Sequence, residues 1–298
     1  MNTLFKNVLI YGLGLMGGSL SLALKKKKIV NNITGLVRNK RSLEEAKSLQ
    51  IADEIYLEEQ FLKENLWNNF DLIVFSLPVD LTCLKIRMIP NDYKGFITDL
   101  GSTKKEIIQT VESKFPNTHN YISSHPMTGS EHSGARYAKE ELYEGKLCIL
   151  TKPNNSSEPA YEIIKAFWHY LGSKTVDIPP NDHDDILAYL SHSPHIISTL
   201  MVTWAGMNKK VEEYTNASPF PISGGGFRDM TRIAGSNPEM WQAIISTNKN
   251  SIYHSLIEFK NRLEELIEEF HNINPENNKF WKDYFEKSVK YKNNILKN

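Results

Sequence analysis

The chain has 298 residues, 40% of them hydrophobic and 23% charged, with Lys+Arg and Asp+Glu balanced at 35 each. That composition belongs to a folded globular protein of one or two domains, and a net charge of zero supplies no general attraction for nucleic acid. No apolar run approaches the ~18 residues that span a bilayer, the two cysteines are too few for a disulfide framework, and the N-terminus lacks the regions of a signal peptide. A cytoplasmic chain with neither nucleic-acid nor membrane partners is expected.

The first element is the most informative. "VLIYGLGLMGGSLSLAL" (8–24) begins as a fully apolar β-forming run, passes through Gly12, Gly14 and Gly17, and leaves as a helix closed by Lys25 to Lys28. Strand, G-x-G-x-x-G and helix in that order form the turn that holds a dinucleotide pyrophosphate. Gly12 makes the bend, Gly14 lets backbone approach the phosphates, Gly17 lets the helix pack on the strand, and the helix N-terminus faces the anion. Leu15 and Met16, between the glycines, count as cofactor contacts with them.

The next strand, "NITGLVRN" (32–39), reaches the place about 20 residues on where an acidic residue holds the ribose of NAD. Val37 stands there instead, followed by Arg38, Lys40 and Arg41. The missing carboxylate and the added cations predict NADP, with NAD as the alternative, and Arg38 as the phosphate contact. A solvated basic loop is the plainer reading of the same residues.

Further strands are predicted at 70–79, 95–102, 120–126, 146–152 and 173–178, with helix at 158–171, which makes a doubly wound α/β domain over residues 1–178. Ligands in such sheets lie beyond the carboxyl ends of the strands. Ser76 and Pro78 end one strand and are placed with the cofactor. Asp99, Ser102 and Lys104 end the next. His125, Ser130, Glu131 and His132 follow the one after. A histidine there can serve as a general base, since its unperturbed pKa near ~6.5 needs little tuning. It can equally be a loop cap. Ser102 and Lys105 match S-x-x-K, but the companion motifs are missing, and Ser102 is expected to cap the following helix.

From Asp182 the periodicity is helical almost throughout, defining a second domain over 179–298 whose Asn/Lys-rich tail is expected to be a frayed, polar end. A long helix carrying His183, His192 and His195 is expected to kink at Pro194. The spacing lacks a zinc-site pattern, so no metal is assigned. After a glycine-rich loop at 223–226, Arg228 and Arg232 stand one helical turn apart and could fork onto a carboxylate, or pair with Asp229 and Glu239. Ile252, Leu256, Phe259, Leu263, Leu266 and Phe270 make an apolar stripe that must pack on something, a twin subunit being one choice.

Five motifs in order, "GLGLMGGS", "TDLGSTK", "SHPMTGSEHSG", "HDDILAYLSHSPH" and "GGGFRDMTRIAGSNPEMW", resemble those of the prephenate/arogenate dehydrogenase family of tyrosine biosynthesis. The resemblance runs over about residues 7–245. It implies a Rossmann-type α/β domain followed by an all-helical dimerisation domain, a homodimer, and an active site between the two domains. It implies that His125 is the catalytic histidine on the substrate's C4 hydroxyl, that Ser102 holds that hydroxyl and orients the histidine, and that Arg232 binds the side-chain carboxylate. His195 would face the ring carboxylate, Glu131 would gate the cleft, and Arg228 and Trp241 would line the pocket. The substrate would be prephenate, with arogenate as the alternative, and an NAD(P)-dependent oxidation is expected. A β-hydroxyacid-type dehydrogenase would carry a lysine on the long second-domain helix, where none occurs before Lys209. A cofactor-sensing module without catalysis would be expected to have lost His125, Ser102 or Arg232.

Overall fold

The computed structural model describes residues 3–129, 132–271, 273 and 279–297. They form two compact units, residues 1–252 and 253–298.

The first unit is built on a parallel sheet. Strand β1 (Phe5–Tyr11) leads through the glycine turn into helix α1 (Leu15–Lys27). Then come β2 (Val30–Val37), α2 (Lys40–Ser48), β3 (Glu54–Leu57), α3 (Glu58–Glu64), β4 (Leu72–Phe75), α4 (Val79–Ile86), β5 (Phe96–Asp99) and α5 (Lys105–Lys114). The strand order β3-β2-β1-β4-β5 reverses direction at β1, the doubly wound arrangement. Strand β1 is apolar throughout because it is buried on both faces: Val8 and Ile10 join the core on one side, Leu9 and Tyr11 that on the other.

Beyond α5 the chain adds a second sheet of β6 (Ser123–Pro126), β7 (Leu147–Thr151) and β8 (Lys174–Asp177), with α6 (Glu158–Tyr170) between the last two. Strand β6 runs antiparallel to β7, and a parallel bridge from Ile97 to Tyr121 carries the pairing over from β5. His125 thus stands on a strand continuing the row past β5, at the sheet's carboxyl edge.

The helical part of this unit opens with α7 (Pro180–Leu187), a π-helical turn at Ala188–His192 and α8 (Ser193–Gly206). The break expected at Pro194 takes this form: the wide turn precedes the proline, which falls in the first turn of α8, where its missing N–H is tolerated. Helices α9 (Lys209–Ala217) and α10 (Gly225–Thr231), a 3₁₀ turn at Arg232–Gly235 and α11 (Pro238–Thr247) follow. The 3₁₀ turn packs on α8, and α11 packs on α4.

Helix α12 (Lys249–His271) runs on into the second unit, which also holds α13 (Lys279–Leu296). Phe270 and Trp281 join the two helices, ring centroids 4.8 Å apart. Phe259, Leu263, Phe285 and Val289 remain exposed. Among the described residues no helix is long and apolar enough to cross a membrane.

Candidate active site

The glycine turn has the shape its spacing predicts. Gly12 adopts φ +102°, where a side chain is strained, and a Cβ there would meet the Ser76 carbonyl oxygen at 2.4 Å. At Gly17 a Cβ would fall 1.9 Å from the Gly12 carbonyl oxygen, so helix and turn can approach only without one. Gly14 differs: nothing lies within 4 Å of its Cβ position. It occupies the N-cap of α1, no side chain caps that end, and no acidic residue stands in the first turn. Free N–H groups therefore face open space, a cradle that fits the pyrophosphate of a dinucleotide. Leu15 is buried and Met16 half-buried at the start of the helix, and the Met16 carbonyl accepts from the Tyr143 hydroxyl at 2.7 Å. Ser76 follows β4, and Pro78 is the residue before α4, so both sit at the carboxyl end of the sheet beside the turn.

Strand β2 ends in buried Val37, and Arg38 is exposed. The Asn39 side chain accepts from the Ser42 N–H at 2.9 Å and caps α2, so the basic residues surround a helix start.

The β5 edge is organised by a buried carboxylate. Asp99 accepts from the Gly101 N–H at 2.8 Å, from Lys104 Nζ at 2.6 Å, from the Tyr121 hydroxyl at 2.9 Å, and from the Ser123 hydroxyl. Lys104 Nζ also donates to the Ser124 carbonyl at 2.8 Å, pinning the strand segment that presents His125.

His125 is almost completely buried. Its Nδ1 lies 2.8 Å from His183 Nε2, and His183 Nδ1 lies 2.7 Å from Asp184 Oδ1. The same carboxylate accepts the Lys104 N–H at 2.7 Å and the Lys105 N–H at 2.9 Å, capping α5. Ser102 was expected to supply that cap. It does not: the helix begins three residues later, and a carboxylate from α7 satisfies its first donors. Ser102 is half-buried in the loop before α5 and makes no hydrogen bond among the described residues; the side chain bonded to His125 is that of His183.

Burial pushes the pKa of His125 well below the ordinary histidine value, with the neighbouring His183, Lys104 and His192 adding to the effect. Burial also lowers His183, against the pull of Asp184. His192, in the π-helical turn, is driven down to about 4, chiefly by burial. The Asn248 amide holds it, reaching His192 Nδ1 at 3.1 Å and the Asp184 carbonyl at 2.7 Å.

His195 stands on the first turn of α8, donating from Nδ1 to the Ser191 carbonyl at 2.9 Å and lying against Trp241 with centroids 4.3 Å apart. The Trp241 indole N–H is shielded from water and has no partner among the described residues. Arg228 lies in α10 and Arg232 opens the 3₁₀ turn that packs on α8, the helix of His195. Both arginines are exposed and, among the described residues, neither is ion-paired, so the pairing with Asp229 or Glu239 is not formed. Glu131 lies outside the described residues.

The structure thus joins His125 with two residues to which sequence reasoning gave no role, His183 and Asp184. The signal available was the His-Asp pair in "HDDILAYL", but nothing local ties it to a histidine 58 positions earlier.

Two family models match this chain: "Prephenate dehydrogenase, nucleotide-binding domain" over residues 20–177 and "Prephenate dehydrogenase, dimerization domain" over residues 179–286. The chain is 30% identical over 276 residues to prephenate dehydrogenase of Bacillus subtilis (strain 168), covering 92% of this chain and 70% of that protein. It is 30% identical over 268 residues to cyclohexadienyl dehydrogenase of Zymomonas mobilis, covering 89% and 88%. Among solved structures it resembles prephenate dehydrogenase from A. aeolicus in complex with hydroxyphenyl propionate and NAD+, with TM-score 0.84, 29% identity and 98% of each chain covered.

Proposed function

Because the chain belongs to the prephenate dehydrogenase family, we propose that it converts prephenate to 4-hydroxyphenylpyruvate and carbon dioxide, passing a hydride to a nicotinamide dinucleotide. The observation that carries the reading is His125: a buried, neutral imidazole at the carboxyl edge of the sheet, tied through Nδ1 and with no partner on Nε2 among the described residues.

Gly12, Gly14, Leu15, Met16 and Gly17 hold the dinucleotide's phosphates, with Ser76 and Pro78 beside them. When bound, the oxidised nicotinamide supplies the hydride acceptor at the ring's C4. His125 accepts the C4 hydroxyl proton at Nε2 as the hydride departs, so the C–O bond becomes a carbonyl. The bond to the ring carboxylate then breaks, its electrons restore aromaticity, and the proton taken by His125 is returned to the phenol oxygen. General-base catalysis of this kind contributes about 10²–10⁴-fold. In this reading Ser102 holds the hydroxyl, Arg232 binds the side-chain carboxylate, His195 faces the ring carboxylate, and Trp241 lines the pocket beside it. Arg228 lines the same pocket.

The cofactor preference we infer is NADP. The absence of a carboxylate after β2 and the exposed Arg38 support it, because a ribose phosphate needs a cation where NAD's ribose needs an acceptor. Residues 179–298 form the substrate and dimerisation domain of a cytoplasmic homodimer; exposed Trp204 and Met207 on and beside α8 and the bare apolar residues of α12 and α13 support a second copy.

The test is reduced-nicotinamide formation in four mixtures, prephenate or arogenate with NAD or NADP. Turnover with prephenate and NADP is expected. Turnover with arogenate alone would reassign the substrate, and silence in all four would overturn the reading. His125→Asn should bind the cofactor normally and lose most turnover.

A further inference from the structure

We propose that His183 and Asp184 are positioning residues that fix His125 in the tautomer carrying its proton on Nδ1, leaving Nε2 as the open base. The inference rests on the functional reading above only for the identity of the reaction; the tautomer follows from the hydrogen bonds.

An ionised carboxylate can only accept. Asp184 does so from two backbone N–H groups, those of Lys104 and Lys105, and its Oδ1 is also 2.7 Å from His183 Nδ1. His183 Nδ1 must therefore carry a proton. A neutral imidazole has one N–H, so His183 Nε2 is a bare acceptor. The atom 2.8 Å from it, His125 Nδ1, must then be the donor. His125 is left with its lone pair on Nε2, the nitrogen without a partner among the described residues.

The backbone half of this arrangement makes it rigid. Asp184 cannot turn away from His183 without uncapping α5, and the Asn248 amide holds the Asp184 carbonyl at 2.7 Å. His183 is wholly buried and Asp184 nearly so, so water does not compete for either bond. When Nε2 takes the hydroxyl proton, no second proton has to move. The new imidazolium keeps its Nδ1–H on His183, whose own N–H stays on the carboxylate, so the positive charge is stabilised at one remove. The charged and titratable groups around His125 are Lys104 and Asp99 at the β5 edge, His183 and Asp184 on α7, and His192 in the π-helical turn. Lys104 is repelled by the charge that forms and is itself matched by Asp99. Asp184 is the carboxylate aligned with the histidine pair.

Three variants separate positioning from mere scaffolding. His183→Leu removes the acceptor and should lower kcat about 10²–10³-fold while leaving KM for substrate and cofactor within about threefold. His183→Gln puts an amide oxygen near the Nε2 position and should recover at least about tenfold of that loss. Asp184→Asn retains an oxygen for the α5 cap but can donate where Asp184 only accepts. It should lower kcat about 10–100-fold and move the acidic limb of kcat/KM to lower pH, since His125 loses the distant carboxylate. Nitrogen-15 spectra of histidine-labelled enzyme give a readout independent of turnover: His125 should show protonated Nδ1 and bare Nε2, a signature lost in His183→Leu. Turnover by an enzyme whose His125 is protonated on Nε2, or a His183→Leu variant with wild-type kcat, would overturn the proposal and spare the functional reading. The Nδ1–H signature in a protein inactive on both substrates would overturn the functional reading and leave the tautomer assignment standing.

Discussion

Lys104 Nζ lies 2.6 Å from Asp99 Oδ2, and both side chains are wholly removed from solvent. Such a pair is expensive to break from one side only, because the abandoned charge stays in a medium that cannot solvate it. Lys104→Met should cost about 3–5 kcal/mol, read as a lower urea midpoint at unchanged slope. Asp99→Asn added to Lys104→Met should recover part of that loss, since a neutral amide replaces the stranded carboxylate. A single variant as stable as the parent would mean the pair contributes nothing.

Three histidines held neutral by burial make stability depend on pH. His125, His183 and His192 all have folded pKa values below the unfolded value near 6.5, His192 at about 4. Between those values the unfolded chain binds more protons, so stability is full above about pH 6.5 and falls as pH drops toward 4. His192 alone accounts for about 3 kcal/mol across that window. Melting temperatures at pH 7.5, 6 and 5 should decline in that order, and His192→Asn should flatten the decline. A melting temperature independent of pH over that range would refute this.

The last two glycines of the turn, Gly14 and Gly17, should respond oppositely. Gly17→Ala sets a methyl group 1.9 Å from a backbone oxygen and should leave little folded protein. Gly14→Ala meets nothing within 4 Å and should change stability by no more than about 1 kcal/mol. Its methyl nevertheless stands before the uncapped N–H groups of α1, so nicotinamide-dinucleotide binding should weaken at least about tenfold by titration calorimetry. Normal binding by Gly14→Ala would show that the phosphates lie elsewhere.

Arg38 is exposed and outside the core, so Arg38→Ala should be silent in stability. Loss of a charge-assisted contact to a ribose phosphate should lower kcat/KM with NADP about 10–100-fold and leave that with NAD within a few-fold. Equal effects on the two cofactors would make the basic residues an ordinary solvated surface.

The sequence alone reveals whatever repeats locally. The apolar run into Gly12, Gly14 and Gly17 and the chemical residues at strand ends follow from period and spacing. Strand β3 escaped because it is four residues long, half-exposed and at the sheet edge, where alternation is weak. The antiparallel direction of β6 escaped because four residues do not reveal their partner. The histidine pair escaped for a deeper reason: β7, α6 and β8 lie between His125 and His183 in the chain, and only their packing brings the two rings together. Ser102 illustrates the converse, a residue with the right chemistry for a cap, displaced by a carboxylate 80 positions from Lys104 in the chain.

The two family matches meet between residues 177 and 179, as if the protein were made of interchangeable parts. The carboxylate of Asp184 says otherwise. It lies a few residues past that seam, yet it caps a helix of the first part and is hydrogen-bonded through His183 to His125 on a strand of that part. A chimera joined at the seam would inherit α5 and His125 from one parent and their support from the other. Exchange between relatives is therefore best made after residue 192, so that the stretch from Pro180 to His192 travels with the nucleotide-binding half although it belongs in sequence to the helical one.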